Sequence, residues 1–237
     1  MLLRPELFKD YGPNGLQVEG APEVRRIVSG VTASLAFIDA AIAAGADTLL
    51  VHHGLFWRGM DGRLTGWLAA RVRRLMAAGV NLYAYHLPLD AHAELGNNAQ
   101  LGLRLGLHAD GRFGEQDLGF IGPAAANGTL DALAAAAAAA LDKPIVIVPG
   151  DGRLLRRVAW CTGGAQGYFE PAIAAGADAF ITGEISEPQA HLARETGVAF
   201  LACGHHATER FGAAAVAAHV AAELGHEHLH IEIANPA

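Results

Sequence analysis

The heptapeptide AIAAGAD occurs twice, in AIAAGADTLLVHHG (41–54) and in AIAAGADAFITGE (172–184). In each copy small apolar residues run into a glycine, and an apolar strand-like run follows. A glycine just past a helix supplies the left-handed conformation that ends it, so each copy reads as helix, turn, strand. The correspondence extends outward. VTASLAFID (31–39) faces CTGGAQGYFE (161–170), and GVNLYAYH (79–86) faces GVAFLACGH (197–205). His86 is followed four residues later by Asp90, and His205 four later by Glu209. Convergent use of one helix-ending device would account for the heptapeptide alone. The shared order of the flanking features favours two copies of one βαβαβ-type unit.

The rest of the chain fits that frame. Strands are expected at 25–32, 48–51, 81–85, 144–148, 157–161, 179–182, 198–202 and 228–233, with helices at 34–44, 66–78, 97–105, 129–141, 168–175, 187–195 and 206–224. Alternation of this kind indicates an α/β fold with largely parallel strands. The alanine run 134–140 reads as a helix of small residues, with Thr129 as its N-cap and Pro144 beyond its end. Three portions are expected: a first α/β unit over 1–105, a Gly- and Pro-rich connecting subdomain over 106–155, and a second α/β unit over 156–237.

Composition narrows the function. Of 237 residues, 52% are hydrophobic and 17% charged, which supports a sizeable core and argues against disorder. No apolar run reaches the ~18 residues of a membrane span, and MLLRPELFKDYG lacks the pattern of a signal peptide. The two cysteines, Cys161 and Cys203, sit in apolar surroundings and read as buried thiols, which fits a cytoplasmic protein. A net charge of -7 argues against a dedicated nucleic-acid surface. Arg71, Arg73, Arg74, Arg156 and Arg157 read as solvated arginines on element faces.

The chemistry collects at strand ends. His52 and His53 close one expected strand, and His86 and His205 follow two others. Parallel α/β sheets gather functional groups beyond the carboxyl ends of their strands. Gly54 would ease the turn that lets two adjacent histidines serve one site. Imidazole with carboxylate suits Zn, Fe or Mn, and the lack of ligand-spaced cysteine argues against a structural zinc site. Six such ligands exceed the needs of one tetrahedral ion. Two ions ~3.5–4 Å apart, bridged by a carboxylate and a water, would use them all and would provide a hydroxide nucleophile near neutral pH. Each histidine taken singly is better explained by a structural hydrogen bond; the weight lies in their convergence. His226, His228 and His230 alternate as the polar face of a strand, and His92, His108, His191 and His219 read as surface or core residues. Phosphate-binding loops, dinucleotide fingerprints and nucleophile elbows are absent from the sequence.

The segments DYGPNGLQVEG (10–20), GVTAS (30–34), VHHGLFW (51–57), HLPLDAHAELGNNAQLG (86–102), WCTGG (160–164), FITGEISE (180–187) and GHHATERFG (204–212) resemble the GTP cyclohydrolase type 2 homologues, or Nif-three-like proteins, above all the bacterial YbgI-type members. The likeness covers nearly the whole chain. It implies two related α/β domains, a toroidal homohexamer built as a trimer of dimers, and two divalent metal ions per subunit. The family's ligands fall on His52, His53, His86, Asp90, His205 and Glu209, with Asp90 and Glu209 as the carboxylates that would touch both ions and share in catalysis. His205 rather than His206 takes the ligand position, since it stands four before Glu209. Glu184, at the strand end matching VHHG, is a candidate general base or orienting residue unless it caps the next helix. Phe56, Trp57 and Arg58 would either meet an anionic, ring-bearing substrate or pack against the next element.

The resemblance implies a metal-dependent hydrolase of small molecules, with GTP as one candidate substrate. The alternative is a non-catalytic metal carrier, insertase or regulatory scaffold. Nucleic-acid handling through a ring's central hole has little support from the charge.

Overall fold

The computed structural model describes residues 2–125 and 128–237. In chain order its strands are β1 (Gly15–Val18), β2 (Arg26–Thr32), β3 (Thr48–His53), β4 (Asn81–Ala84), β5 (Gly111–Phe113), β6 (Gly119–Pro123), β7 (Val146–Val148), β8 (Arg157–Trp160), β9 (Ala179–Thr182), β10 (Ala199–Ala202) and β11 (Glu227–His230). Its α-helices are α1 (Leu35–Ala43), α2 (Gly66–Ala78), α3 (Leu87–Ala91), α4 (Asn97–Arg104), α5 (Leu130–Leu141), α6 (Phe169–Ala174), α7 (Glu187–Thr196), α8 (His205–Glu209) and α9 (Gly212–Leu224). The fold is mixed α/β. No helix among the described residues is long and apolar enough to cross a membrane.

The chain divides into two compact units. One joins Met1–Gly96 to Arg210–Ala234, and the other joins Asn97–Glu209 to Asn235–Ala237. The division differs from the three portions expected from sequence. The 106–155 stretch places β5, β6 and β7 in the sheet of the second unit, where β6 pairs with β8 and β7 with β10. The expected helix 206–224 is interrupted at Arg210 and Phe211, and α9 belongs to the first unit. Pairing and burial decide both outcomes, since strand edges need partners and apolar helix faces need cover.

The first unit holds a five-stranded sheet in the order β1-β4-β3-β2-β11, parallel except for β1. Side chains alternate along its strands. Val28, Leu49, Val51 and Leu82 face Phe37 and Ile38 of α1 and Leu68, Val72 and Leu75 of α2. Ile27 and Leu50 face Val216, Ala217 and Ala221 of α9. Both faces are therefore covered, as parallel sheets require. Burying side chains such as Leu49, Phe37 and Leu82 contributes roughly 1.5–3 kcal/mol apiece.

The second unit holds a six-stranded sheet, β5-β6-β8-β9-β10-β7, whose central β8, β9 and β10 are parallel. Phe169, Phe180 and Phe200 interlock on it, with centroids 4.9 to 5.9 Å apart. Thr129 caps α5 by accepting from the Ala132 amide. The small-residue face of that helix buries Ala134 and Ala137 between Leu133 and Leu141.

The two AIAAGAD segments do the same work in their respective units. Gly45 and Gly176 take φ of 76° and 84° where a helix turns toward a strand. Asp47 accepts from the amides of Arg25 and Arg26 at the start of β2. Asp178 accepts from the amides of Arg156 and Arg157 at the start of β8. Each aspartate thus ties the foot of its own strand to the neighbouring one.

Candidate metal centre

Strand β3 runs through His53 rather than stopping at Val51. On one side it stays paired, with His53 opposite Thr32. On the other, pairing with β4 ends at Val51 and Ala84, so His52 and His53 stand where β4 has turned away. Their rings lie 4.5 Å apart between centroids, and the His86 ring is 5.1 Å from His52 and 5.8 Å from His53. Each of the three offers a ligating nitrogen, and these atoms lie within 4.8 Å of one another.

The Nδ1 atom of each histidine is held by the chain. His52, fully buried, donates Nδ1–H to the Tyr85 carbonyl at 3.0 Å. A carbonyl has no proton to give, so Nδ1 carries the hydrogen and the lone pair of the neutral ring lies on Nε2. That Nε2 points at Asp90, 3.5 Å from Oδ1. His53 Nδ1 lies 3.2 Å from the Thr32 hydroxyl. His86 Nδ1 lies 2.6 Å from Asp10 Oδ1, and Asp10 Oδ2 accepts from the Leu87 amide and the Asn14 side chain. Burial alone would push the Asp10 carboxyl up. The hydrogen bonds from His86 and Asn14 and the neighbouring His86 outweigh it and hold the carboxyl at about 2. Asp10 is therefore an ionised acceptor, and His86 likewise turns Nε2 away from its partner. Histidines that ligate metals usually donate their second ring N–H in this way, which fixes ring and tautomer.

Asp90 lies on α3, one helical turn after His86, with its amide donating to the His86 carbonyl. It is nearly buried and shares the space of His52. These residues fit a divalent cation: Nε2 lone pairs beside a buried carboxylate are a mixed N/O donor set of the kind such ions take.

In the second unit His205 opens α8 beyond β10. Its Nδ1 is 2.5 Å from Glu184 Oε1 and its Nε2 is 3.1 Å from Glu209 Oε2. Glu209 is almost fully buried. Its hydrogen bond and charge raise His205 to about 9 against the opposing effect of burial, with Glu184 adding to the rise. Two carboxylates around one imidazole make a site that favours positive charge, which a divalent cation supplies more strongly than a proton. These contacts are made by His205, not His206. Glu184 does not cap α7: Ser186 does, through a capping box with Gln189.

The TGG turn (162–164) shapes the surroundings of His205 and Glu209. Gly163 has φ of 72°, and a Cβ there would lie 1.9 Å from Glu209 Oε1. Its amide donates to Thr208 and its carbonyl accepts from Thr182 and from the Gly183 amide. Buried Asn98 accepts from the Thr162 amide, donates to the Leu118 carbonyl, and takes the Trp160 indole N–H on its own carbonyl.

The structure thus brings His52, His53, His86 and Asp90 together in the first unit, and His205, Glu209 and Glu184 together in the second. Sequence reasoning passed over Asp10, Asn14 and Thr32 as site residues. The signal for the first two was a cluster of polar residues, DYGPN (10–14), just ahead of β1. His226, His228 and His230 take no part. His228 and His230 both meet the Ser29 hydroxyl at 2.9 Å. Cys161 and Cys203 are both buried thiols.

Comparison with known proteins identifies the family. A Neisseria meningitidis serogroup B protein named GTP cyclohydrolase 1 type 2 homolog is 52% identical over 235 residues, covering 99% of this chain and 94% of its own. The Escherichia coli protein of the same name is 45% identical over 99% of this chain and 95% of its own. Among solved structures, one described as protein ybgI, of unknown function, superposes with a TM-score of 0.95 at 44% identity, covering 99% of this chain and 95% of that one. A Thermus thermophilus protein follows at 0.87 and 32%, covering 100% and 95%. The family model described as Duf34/NIF3 (NGG1p interacting factor 3) matches residues 1–236, and the chain, with His/Asp/Glu groups able to hold a metal ion, belongs to that family.

Proposed function

We propose that this chain is a metal-dependent hydrolase in which His52, His53, His86, Asp90, His205 and Glu209 hold two divalent ions. The observation that carries the reading is the arrangement of His52, His53 and His86, whose Nδ1 atoms are all occupied by the chain while their ligating nitrogens converge. When bound, such ions bring the ionisation of water toward neutral pH and polarise the bond to be cleaved. The chain's own residues do the rest. Asp10 and the Tyr85 carbonyl fix the imidazoles, Asp90 and Glu209 supply buried negative charge, and Glu184 holds His205 in orientation.

A nucleotide such as GTP is the first substrate to test, on the strength of the name the relatives carry. The paired roles of Asp47 and Asp178 support an origin of the two units by duplication. We also infer, from the family resemblance of the sequence alone, a toroidal homohexamer as the working assembly, which ultracentrifugation would test by its mass.

The test is metal content per chain after gentle purification, followed by incubation with GTP and assay of formate. Two ions with formate release support a cyclohydrolase. Two ions with turnover of another nucleotide or ester keep the hydrolase and change its substrate. Asp90→Ala loses metal and activity while the assembly persists; loss of metal with a measured activity intact would overturn the reading. A metal-delivery role is the second reading, favoured by the partial exposure of His205 and His86. It predicts transfer of the ion to an acceptor protein and no turnover.

A further inference from the structure

Three side chains beside the histidine cluster of the first unit are explained neither by core packing nor by metal ligation. Tyr11 is 59% exposed, yet its ring lies 6.1 Å from that of His86 and is inclined to it at 66°. Trp57, half-buried, stands perpendicular to His86 at 5.1 Å and tilted against His53 at 6.0 Å. Its neighbour Phe56 turns into the core beside Leu55. The aromatic pair after the histidines is thus divided, one ring for packing and one for the site.

Both rings at the site are held by backbone. The Arg58 amide donates to the Tyr11 carbonyl and the Arg58 guanidinium to the Asp10 carbonyl, each at 2.6 Å. The Tyr11 amide donates to Asp10 Oδ1. Gly12 is required for this contact, because a Cβ there would meet the Phe56 carbonyl oxygen at 2.5 Å and the Trp57 ring at 3.4 Å. Residues 10–12 and 56–58 therefore lie side by side, and the carboxylate that orients His86 also anchors Tyr11. The backbone beneath the rings needs little ordering on binding, which favours affinity.

Arg58 completes the set. It is exposed, and its guanidinium sits 6.0 Å from the Tyr11 ring centroid. Among the described residues that guanidinium meets a carbonyl and an aromatic ring rather than a carboxylate. It is exposed and forms no ion pair among the described residues, so it can pair with an anion. Guanidinium groups match phosphate and carboxylate geometry through paired N–H donors, and aromatic side chains stack on flat heterocycles of any identity.

We propose that Tyr11, Trp57 and Arg58 form the substrate-recognition surface, and that the substrate is a planar heteroaromatic ring carrying an anionic group. The proposal rests on reading the adjacent cluster as a hydrolytic metal site, and it deepens that reading by assigning recognition of the substrate's ring and anion to named residues.

The experiment is calorimetric titration of the purified, metal-bearing protein with GMP, guanosine and ribose 5-phosphate, with metal content measured in parallel. Wild-type protein binds GMP more tightly than either part. Trp57→Leu and Tyr11→Leu each weaken GMP and guanosine by about tenfold, the scale of one lost base stack, and leave ribose 5-phosphate unchanged. Arg58→Gln weakens GMP and ribose 5-phosphate but not guanosine. Metal content stays at the wild-type level in all three. Trp57→Phe and Tyr11→Phe retain GMP binding, which separates a stacking role from a merely structural one. No GMP binding by wild type, equal GMP affinity in all variants, or loss of binding in the Phe variants would overturn the proposal. Failure of the hydrolytic reading has a different signature, namely GMP bound through these residues with no turnover of any nucleotide. Turnover of a ring-free ester with unchanged GMP affinity across the variants leaves the hydrolase standing and removes the recognition surface.

Discussion

Asp10 and His86, 76 residues apart in the chain, share a 2.6 Å contact between Oδ1 and Nδ1. Through it a buried carboxylate fixes the tautomer and direction of a candidate metal ligand. In the second unit an exposed carboxylate, Glu184, makes the corresponding contact with His205 Nδ1 at 2.5 Å. His52 and His53 have neutral partners instead, a carbonyl and a hydroxyl. Metal-ligating histidines commonly turn their second ring N–H to such a carboxylate, which holds the ring in place.

Replacing Asp10 therefore weakens metal binding without removing a ligand. Asp10→Ala is expected to lower metal affinity by about 10–100-fold, read by competition with a chromophoric chelator. Asp10→Asn keeps an acceptor for the Leu87 amide and loses the charge, so its effect falls between. Wild-type affinity in Asp10→Ala would show that His86 needs no such support.

Gly163 offers a second test. An alanine there adopts a left-handed backbone at a cost of roughly 1–2 kcal/mol, and its Cβ overlaps Glu209 Oε1. Gly163→Ala is expected to melt at lower temperature and to bind less metal, since the carboxylate must move. Full metal content in this variant would mean that Glu209 is not held where ligation needs it.

Asn98 is fully buried and satisfies the Thr162 amide and the Leu118 carbonyl with one side chain. Asn98→Ala strands both, at about 1–3 kcal/mol for each buried group left unsatisfied. Urea denaturation should show a lower midpoint with an unchanged slope. An unshifted midpoint would contradict the role given to this residue.

Burial pushes the Cys203 thiol up to about 12, only partly offset by Lys143. The thiolate is the reactive form, so the folded protein is expected to resist iodoacetamide at Cys203 at pH 8 and to react there once denatured. Peptide mapping distinguishes the two. Rapid alkylation of native protein would show that this core opens readily.

The sequence by itself determined the alternation of strands and helices, the repeated AIAAGAD turn and the placement of His52, His53, His86 and His205 at strand ends. These are local patterns: period, capping residues and chain order suffice to read them. Tertiary structure decided the rest. It placed β5, β6 and β7 in a sheet with β8 and β10, and returned α9 and β11 to the first unit. It also chose the partners of the ligands, 76 residues away for His86, 33 for His52 and 21 for His205. The physical reason is the range of the interactions. A helix end or a strand is stabilised by residues a few positions away, whereas an imidazole's second nitrogen takes whichever acceptor the packed sheets bring to it. That choice fixes which nitrogen faces the site, and composition and spacing hold no record of it.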